Sequence, residues 1–393
     1  MQTFYIIGIS DDRNQFLSPE IRNLVSQGKV FSGGKRHHEL VHAYLPEDAV
    51  WIDITVPLDA VFCRYEEHSE IIVFASGDPL FFGFANTVMR KLPSAKIILF
   101  PTFNSLQMLA HRILLPYQEM QTLSLTGRPW DAFDSALIRG DKLIGVLTDR
   151  EKTPATIAAR MLEYGYDNYR MTMGEALGNG EEESVRTFSL EEASQSAFRF
   201  PNCLILQRNK VHPRPFGIPE SEFHLLNGRN RMITKMPVRL LTLSMLTLRE
   251  KKSFWDIGFC TGSVSIEAKL QFPELKVTAF EQRPEGKELM ARNSRKFGTP
   301  GITTVMGDFL ETELGGLPAP DAVFIGGHGG KMIEILQKIK EVLLPDGVIV
   351  FNSVSEESKA LFTKGITQIN KKVTQCTRIA VDTFNPIEIM RAE

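Results

Sequence analysis

The chain has 393 residues, of which 43 % are hydrophobic and 23 % charged, with a formal net charge of −2. That length exceeds one ordinary domain and suits two of about 200 residues. The near-neutral balance excludes non-specific nucleic-acid binding through net field. Residues 1–210 carry 21 basic against 26 acidic side chains and the remainder 24 against 21, an asymmetry that decides nothing alone. Four cysteines, at 63, 203, 260 and 376, stand at least 57 residues apart. That is neither a disulfide framework nor a zinc spacing, and it fits a reducing compartment. The opening residues Met1–Ser10 lack a basic leader and reach Asp11-Asp12 at once, so they read as a first strand. No apolar run approaches the roughly 20 residues of a membrane helix. A cytoplasmic protein without membrane or nucleic-acid partners, and without a metal, is expected.

Short apolar runs alternate with helix-period segments from end to end, the pattern of an α/β protein. In the first half the spacing predicts strands near 3–9, 49–54, 70–75, 96–100, 121–125 and 142–148, and helices over 19–27, 36–44, 82–91, 104–114 and 154–164. Glu181-Glu-Glu183 reads as a solvated turn, and Phe200–Gln207 as a closing strand. Arg208–Gly217 holds two prolines and several polar residues, which stop a helix and favour an extended linker. This divides the chain into 1–207, a linker at 208–217, and 218–393. Beyond the linker, Thr234–Leu248 is amphipathic. Strands follow near 253–257, 276–281, 302–306, 321–325 and 347–351, with helices near 263–271, 284–297, 329–343 and 355–363, a Rossmann-like order.

The first strand of that second half feeds Gly258-Phe-Cys-Thr-Gly262 and then a helix, which should place amide groups at a positive helix end. The G-x-G-x-x-G of a pyrophosphate-binding loop is missing. Asp256 precedes the loop and suits the amino group of an amino-acid moiety. Glu281 ends the next strand, where an acid can accept both ribose hydroxyls. Asp308 after the third strand can hold an adenine amine, with Phe309 flanking the ring. Either acid alone is equally an ordinary strand-end cap; together the four features describe S-adenosylmethionine better than NAD. Phe324-Ile-Gly-Gly-His-Gly-Gly330 would bend over the methyl group, where His328 either orients or deprotonates an acceptor, or is a plain surface histidine.

In the first half, Ser76-Gly77-Asp78-Pro79 is a turn after a strand, ordered by Asp and Pro, and equally a purely structural one. Gly33-Gly-Lys-Arg-His-His-Glu-Leu40 sets cationic side chains behind two glycines, able to hold acidic groups or to start an exposed helix. No Ser/His/Asp order, H-E-x-x-H or paired cysteine motif occurs.

Taken together these pieces resemble a fusion of two enzyme families of cobalamin synthesis. Tyr5-Ile-Ile-Gly-Ile, Gly34-Lys-Arg-His, Ser76-Gly-Asp-Pro-Leu-Phe-Phe-Gly83, Asn104-Ser105-Leu-Gln, Leu125-Thr-Gly-Arg128, Leu147–Pro154 and Gly174–Gly178 resemble the corrin C5-methylating branch of the tetrapyrrole methylases. Gly217-Ile-Pro-Glu, Met232–Arg239, Trp255–Glu267, Phe324-Ile-Gly-Gly and Asn385-Pro-Ile resemble the decarboxylating C15-methylases. The resemblance implies a two-subdomain tetrapyrrole methylase (class III) fold followed by a Rossmann-like class I methyltransferase domain. It also implies a bifunctional, S-adenosylmethionine-dependent enzyme acting on a corrin precursor at C5 and C15, with loss of the C12 acetate carboxyl, and a homo-oligomer.

Carried over residue by residue, the cofactor contacts fall on Thr234, the Gly258–Gly262 loop, Glu281, Asp308 and Phe309. In the first half they fall on Gly77, Asp78, Leu80 and Ser105, with the strand-one turn at Gly8, which superficially resembles a nucleotide loop, on the acceptor side. The substrate's carboxylates are expected to meet Arg36, His37, Arg128, Lys235 and His328, of which His328, Lys235 and Arg128 are the catalytic candidates. The chain departs from the family's Gly-Ala-Gly-Thr-Gly at Phe259 and Cys260, which are expected to crowd the loop before Thr261 and Gly262. It has Thr126 where the family often has histidine, and its tail after Cys376 is short. The other readings are cobalt-containing substrates, a class I RNA or protein methyltransferase with an accessory domain, and a binding protein without turnover.

Overall fold

The computed structural model describes residues 2–228 and 232–393. It divides into two compact units. The first comprises residues up to Arg128, Lys142–Ala159 and Tyr169–Asn209. The second comprises Pro129–Asp141, Arg160–Asn168 and Lys210–Glu393.

The first unit holds two five-stranded sheets. Strands β1 (Thr3–Ile9), β2 (Val30–Gly33), β3 (Val50–Asp53), β4 (Glu70–Ser76) and β5 (Lys96–Phe100) run in the order β3-β2-β4-β1-β5, all parallel. The run Ile71–Ala75 within β4 is buried throughout, as expected of a central parallel strand covered on both faces. The second sheet takes β6 (Gln121–Ser124), β7 (Leu143–Leu147), β8 (Tyr169–Glu175), β9 (Ser184–Phe188) and β10 (Asn202–Arg208) in the order β6-β7-β10-β8-β9. Here β6 pairs with β7 in parallel and every other pairing is antiparallel.

The predicted strands and helices of this half are present with shifted ends. The four-residue β2, strands β8 and β9, and helices at Asp59–Tyr65, Asp131–Arg139 and Leu190–Ser194 have no clear sequence signal. Gly8 lies inside β1 opposite Ala75, not in a turn. A Cβ there would stand 1.9 Å from the Gly77 carbonyl oxygen, so its glycine serves backbone approach. The acidic run is more than a solvated turn, because Glu182 pairs with Arg13 at 3.0 Å and Glu183 binds both Arg112 and the Gly178 amide.

The second unit is built on a seven-stranded sheet of β11 (Ser253–Ile257), β12 (Lys276–Glu281), β13 (Ile302–Met306), β14 (Ala322–Ile325), β15 (Val348–Ser353), β16 (Val373–Ile379) and β17 (Ile387–Ala392). The order is β13-β12-β11-β14-β15-β17-β16. The first five are parallel, and β17 inserts antiparallel between β15 and β16. The short tail thus closes the sheet, a role the sequence pattern does not announce. Strand order reverses between β11 and β14, so the loops at their carboxyl ends part and leave a crevice, the usual ligand position of such sheets.

A fully buried ion pair locks the wall beside that crevice. Arg239, on the helix Met236–Met245, donates Nε to Glu267 Oε2 at 2.7 Å, and neither side chain is exposed. Its other nitrogens reach the carbonyls of Thr234 and Ile218, while Glu267 also accepts the Gly217 amide. The pair therefore ties residues 217–218 and Thr234 to the helix Ser263–Gln271. Removing one partner strands a charge in the core, which costs about 3–5 kcal/mol. Arg239→Met should lower the denaturant stability of this unit by about that amount, and Arg239→Met with Glu267→Leu should recover part of it. Equal losses in the single and double variants would contradict this reading.

Candidate functional site

The crevice is a cavity of about 740 Å³ at the carboxyl ends of β11, β12, β13 and β14. Thr234, Lys235, Asp256, Gly258, Phe259, Cys260, Thr261, Glu281, Asp308, Phe309 and His328 all line it. Of the residues expected in this half, Gly262 alone is not among the lining; it caps the following helix with φ 77°.

The loop after β11 is held by its own amides. Gly258 and Phe259 donate to the Phe280 carbonyl at 2.8 and 3.2 Å, Cys260 to Glu281 Oε2 at 2.9 Å, and Gly262 to the Phe259 carbonyl at 2.9 Å. Four of its five amides are thus committed inside the protein, so the expectation that they greet a ligand is corrected. The glycines serve shape instead. Gly258 has φ 80°, and a Cβ there would stand 2.9 Å from the Gly327 amide nitrogen of the loop after β14. Phe259 does not crowd the loop either, since its ring is 5 % exposed and belongs to the apolar cluster with Ile266, Met290 and Phe297. Cys260 takes φ 52° and turns its thiol onto the Met232 carbonyl.

Three carboxylates stand at the strand ends, each already engaged. Asp256 is 0 % exposed, with Oδ2 accepting from Ser265 Oγ at 2.6 Å, while Oδ1 and the neighbouring Thr261 Oγ1 are buried without a partner. Burial pushes the Asp256 carboxyl up to about 7 against the opposing Ser265 hydrogen bonds, and the Glu281 charge adds to the rise. Asp256 thus lines the cavity from beneath the loop with no exposed surface of its own. Glu281 accepts from the Cys260 and Arg283 amides and is covered by the Arg283 guanidinium at 3.2 Å. Asp308 pairs with Lys331 at 2.8 Å, and that hydrogen bond holds its carboxyl below the usual range. The partly exposed Lys331–Asp308 pair contributes little, whereas Glu281 is buried under Arg283. Arg283 and Lys331 thus cover the two acids expected to meet a ribose and an adenine, and motif reading misses both; Arg283 is findable as the cation two residues past a strand-end acid. Phe309 stands edge-on to Phe280 and Trp255, so only a margin of its ring is free to flank a base.

At the mouth, Lys235 Nζ lies 4.8 Å from the Phe384 ring centroid, and Val354 and Phe384 are 71 % and 40 % exposed. The His328 ring accepts the Gly330 amide at Nδ1, and burial, opposed by Glu357, lowers its pKa, so at neutral pH it is uncharged with its proton on Nε2. Asn385 and Pro386 also line this rim.

The first-half candidates gather less. Gly77 takes φ 62° and packs on Asn104; Asp78 Oδ1 accepts the Leu80 amide at 2.8 Å; Leu80 is 45 % exposed; Ser105 opens the helix Ser105–Arg112. Arg128 is exposed with its guanidinium 5.1 Å from the Phe82 ring centroid. Neither they nor Gly8 line the large cavity or a second, smaller one in the first unit, whereas Arg36 and His37 line the smaller. The expectation that His37 is cationic is corrected, because burial, and then Arg36, lower it to about 4, so it is neutral.

The residues at the larger cavity fit S-adenosylmethionine. Asp256 Oδ1 and Thr261 Oγ1, without a partner among the described residues, and two further acids suit a cationic nucleoside and not a pyrophosphate. Among the described residues no helix is long and apolar enough to cross a membrane.

Several known proteins are similar to this chain. The family described as "Precorrin methyltransferase domain" matches residues 227–392. A precorrin-6Y C(5,15)-methyltransferase [decarboxylating] from Sinorhizobium sp is 33 % identical over 371 residues, covering 91 % of this chain and 86 % of its own. A cobalt-precorrin-6B C(15)-methyltransferase (decarboxylating) from Salmonella typhimurium is 34 % identical over 162 residues, 41 % of this chain and 83 % of its own. A solved precorrin-6y C5,15-methyltransferase from Geobacter metallireducens is 33 % identical with a TM-score of 0.42, covering 47 % of this chain and 99 % of that one. By the first of these relatives, aligned nearly end to end, the chain belongs to the decarboxylating precorrin-6Y C(5,15)-methyltransferase family.

Proposed function

We propose that this chain methylates a corrin precursor twice, residues 1–207 serving C5, and residues 218–393 serving C15 together with loss of the C12 acetate carboxyl as CO2. The observation that carries the reading for the second half is the buried, half-satisfied Asp256 beneath a cavity edged by Glu281 and Asp308. The C15 assignment is supported by the Salmonella relative, whose name specifies C(15), and by the family match over residues 227–392. S-adenosylmethionine, when bound, supplies a methyl group already activated on sulfonium. What the chain adds is alignment and exclusion of water, and correct orientation is worth roughly 7–11 kcal/mol at best.

Asp256 favours the bound cation from below. Glu281 is the ribose acceptor once Arg283 swings aside, and Asp308 faces the adenine amine once Lys331 does. At the mouth, Val354 and Phe384 offer an apolar rest for the macrocycle, and Lys235 anchors one of its carboxylates. Loss of CO2 breaks the bond between the acetate methylene and its carboxyl, and the electron pair passes into the conjugated ring. An apolar surround favours this by stripping water from the carboxylate. As the methylated carbon returns to conjugation, its proton is lost to solvent and the exocyclic methylene takes one up to become methyl. His328, its Nδ1 held by the Gly330 amide, presents Nε2–H to orient the substrate. The second copy expected from the resemblance belongs to this reading too.

Two experiments test it. Asp256 is largely protonated below pH 7, and a cation above it favours the charged form, so binding must release a proton there and weaken as pH falls. Calorimetry of the full chain with S-adenosylmethionine at pH 6, in buffers of differing ionisation enthalpy, should register this release. Asp256→Asn should abolish it and weaken one of two sites by about 10- to 100-fold. Unchanged proton release in the variant contradicts the assignment. With labelled methyl donor and precorrin substrate, His328→Ala should cut C15 methylation and CO2 release by about tenfold or more while leaving cofactor affinity intact. Lys235→Ala should mainly raise the substrate's KM. Full C15 turnover in both variants would contradict the roles of His328 and Lys235.

A further inference from the structure

The smaller cavity, about 380 Å³, lies in the first unit and is lined by Gly34, Arg36, His37, Ser76, Arg150, Phe200 and Pro201. These residues come from the ends of β2 and β4, the segment after β7, and the entry to β10. Every polar side chain on its wall is a hydrogen-bond donor or is arranged to act as one. The Gly34 amide donates to His37 Nδ1 at 3.2 Å, which fixes the neutral tautomer with its proton on Nε2. That proton is given to Ser76 Oγ at 2.9 Å. The Ser76 hydroxyl, having accepted, is left to donate outward.

The charge count is equally specific. Arg36 Nε is balanced by Asp11 at 2.9 Å. Arg150 lies with its guanidinium 5.8 Å from the Phe200 ring centroid and has no acidic partner among the described residues. One uncompensated positive charge, one poised hydroxyl and a flat aromatic edge make a receptor for a single carboxylate attached to an apolar body. Ser76 stands immediately before Gly77-Asp78, the turn expected to meet the cofactor, so such a carboxylate would be held beside the C5 reaction.

We propose that this cavity is a carboxylate subsite of the first half, with Arg150 as the charge that binds and Ser76, set by His37, as the second donor. The inference rests on the functional reading above. Its carboxylate belongs either to an acetate or propionate arm of the tetrapyrrole or to the amino-acid end of the methyl donor.

The test uses the full chain with Arg150→Ala, Arg150→Lys and Ser76→Ala, measuring C5 methylation by mass spectrometry and methyl-donor affinity by calorimetry. Arg150 is exposed, and a thermal melt reports folding of each variant independently. A tetrapyrrole arm predicts about a tenfold or greater rise in the tetrapyrrole KM for Arg150→Ala, donor affinity unchanged and partial rescue by lysine. A donor carboxylate predicts the same loss in donor affinity at one site, with the tetrapyrrole KM unchanged. Ser76→Ala should move the same quantity in the same direction, by less. An active wild type with neither quantity altered in folded Arg150→Ala overturns the subsite. A wild type that transfers no methyl overturns the functional reading instead.

Discussion

A carboxyl group closed off from water with half its hydrogen-bonding capacity unused is the constraint around which the second unit is arranged. Asp256 lies near the end of β11, and the switch in strand order places it where the loops after β11 and β14 part. The loop above it is tied down, because Gly258 leaves no room for a Cβ beside Gly327 and the loop amides are bound to Phe280 and Glu281. An acid so placed is costly when ionised. The remedy consistent with the rest of the pocket is a cation lying on the loop, and a sulfonium amino acid carries two. The same arrangement is unsuited to pyrophosphate, which needs free amides and no buried anion beneath them.

The neighbouring acids show how such a site remains stable before a ligand arrives. Glu281 and Asp308 borrow Arg283 and Lys331, both on long side chains reaching in from the rim. The Lys331–Asp308 pair is exposed enough to be weak, whereas Glu281 is buried beneath the partly exposed Arg283 guanidinium. By contrast the Arg239–Glu267 pair is fully buried and fixes geometry, holding the Thr234 carbonyl and the entry segment at Gly217. One unit thus contains exchangeable charges at the mouth and permanent ones in the wall.

Much of this is legible in the sequence because it is local. An apolar five-residue run followed by two glycines marks a strand, a tight loop and a helix, and an acid at the next strand end follows from the repeat of the βαβ unit. What stays hidden depends on tertiary packing. The commitment of the loop amides, the burial of Asp256 and the cover over Glu281 all come from segments distant in sequence. Gly8 reads as a loop glycine because a backbone crossing from Gly77 cannot be seen in one strand. Strands β16 and β17 escape notice because the edge strand β16 is polar and exposed and both pair antiparallel, outside the βαβ rhythm. In the first half, His37 reads as a cation because burial is invisible to composition.

The central claim is that the cavity of the second unit holds the methyl donor between Asp256, Glu281 and Asp308. Its most direct test is a crystal structure of the full chain with S-adenosylhomocysteine. The account predicts the ribose hydroxyls on Glu281 with Arg283 turned away, the adenine near Asp308, and the amino group over the loop that covers Asp256. Nucleoside density elsewhere, with the Arg283–Glu281 and Lys331–Asp308 pairs intact and the cavity without ligand, would contradict it.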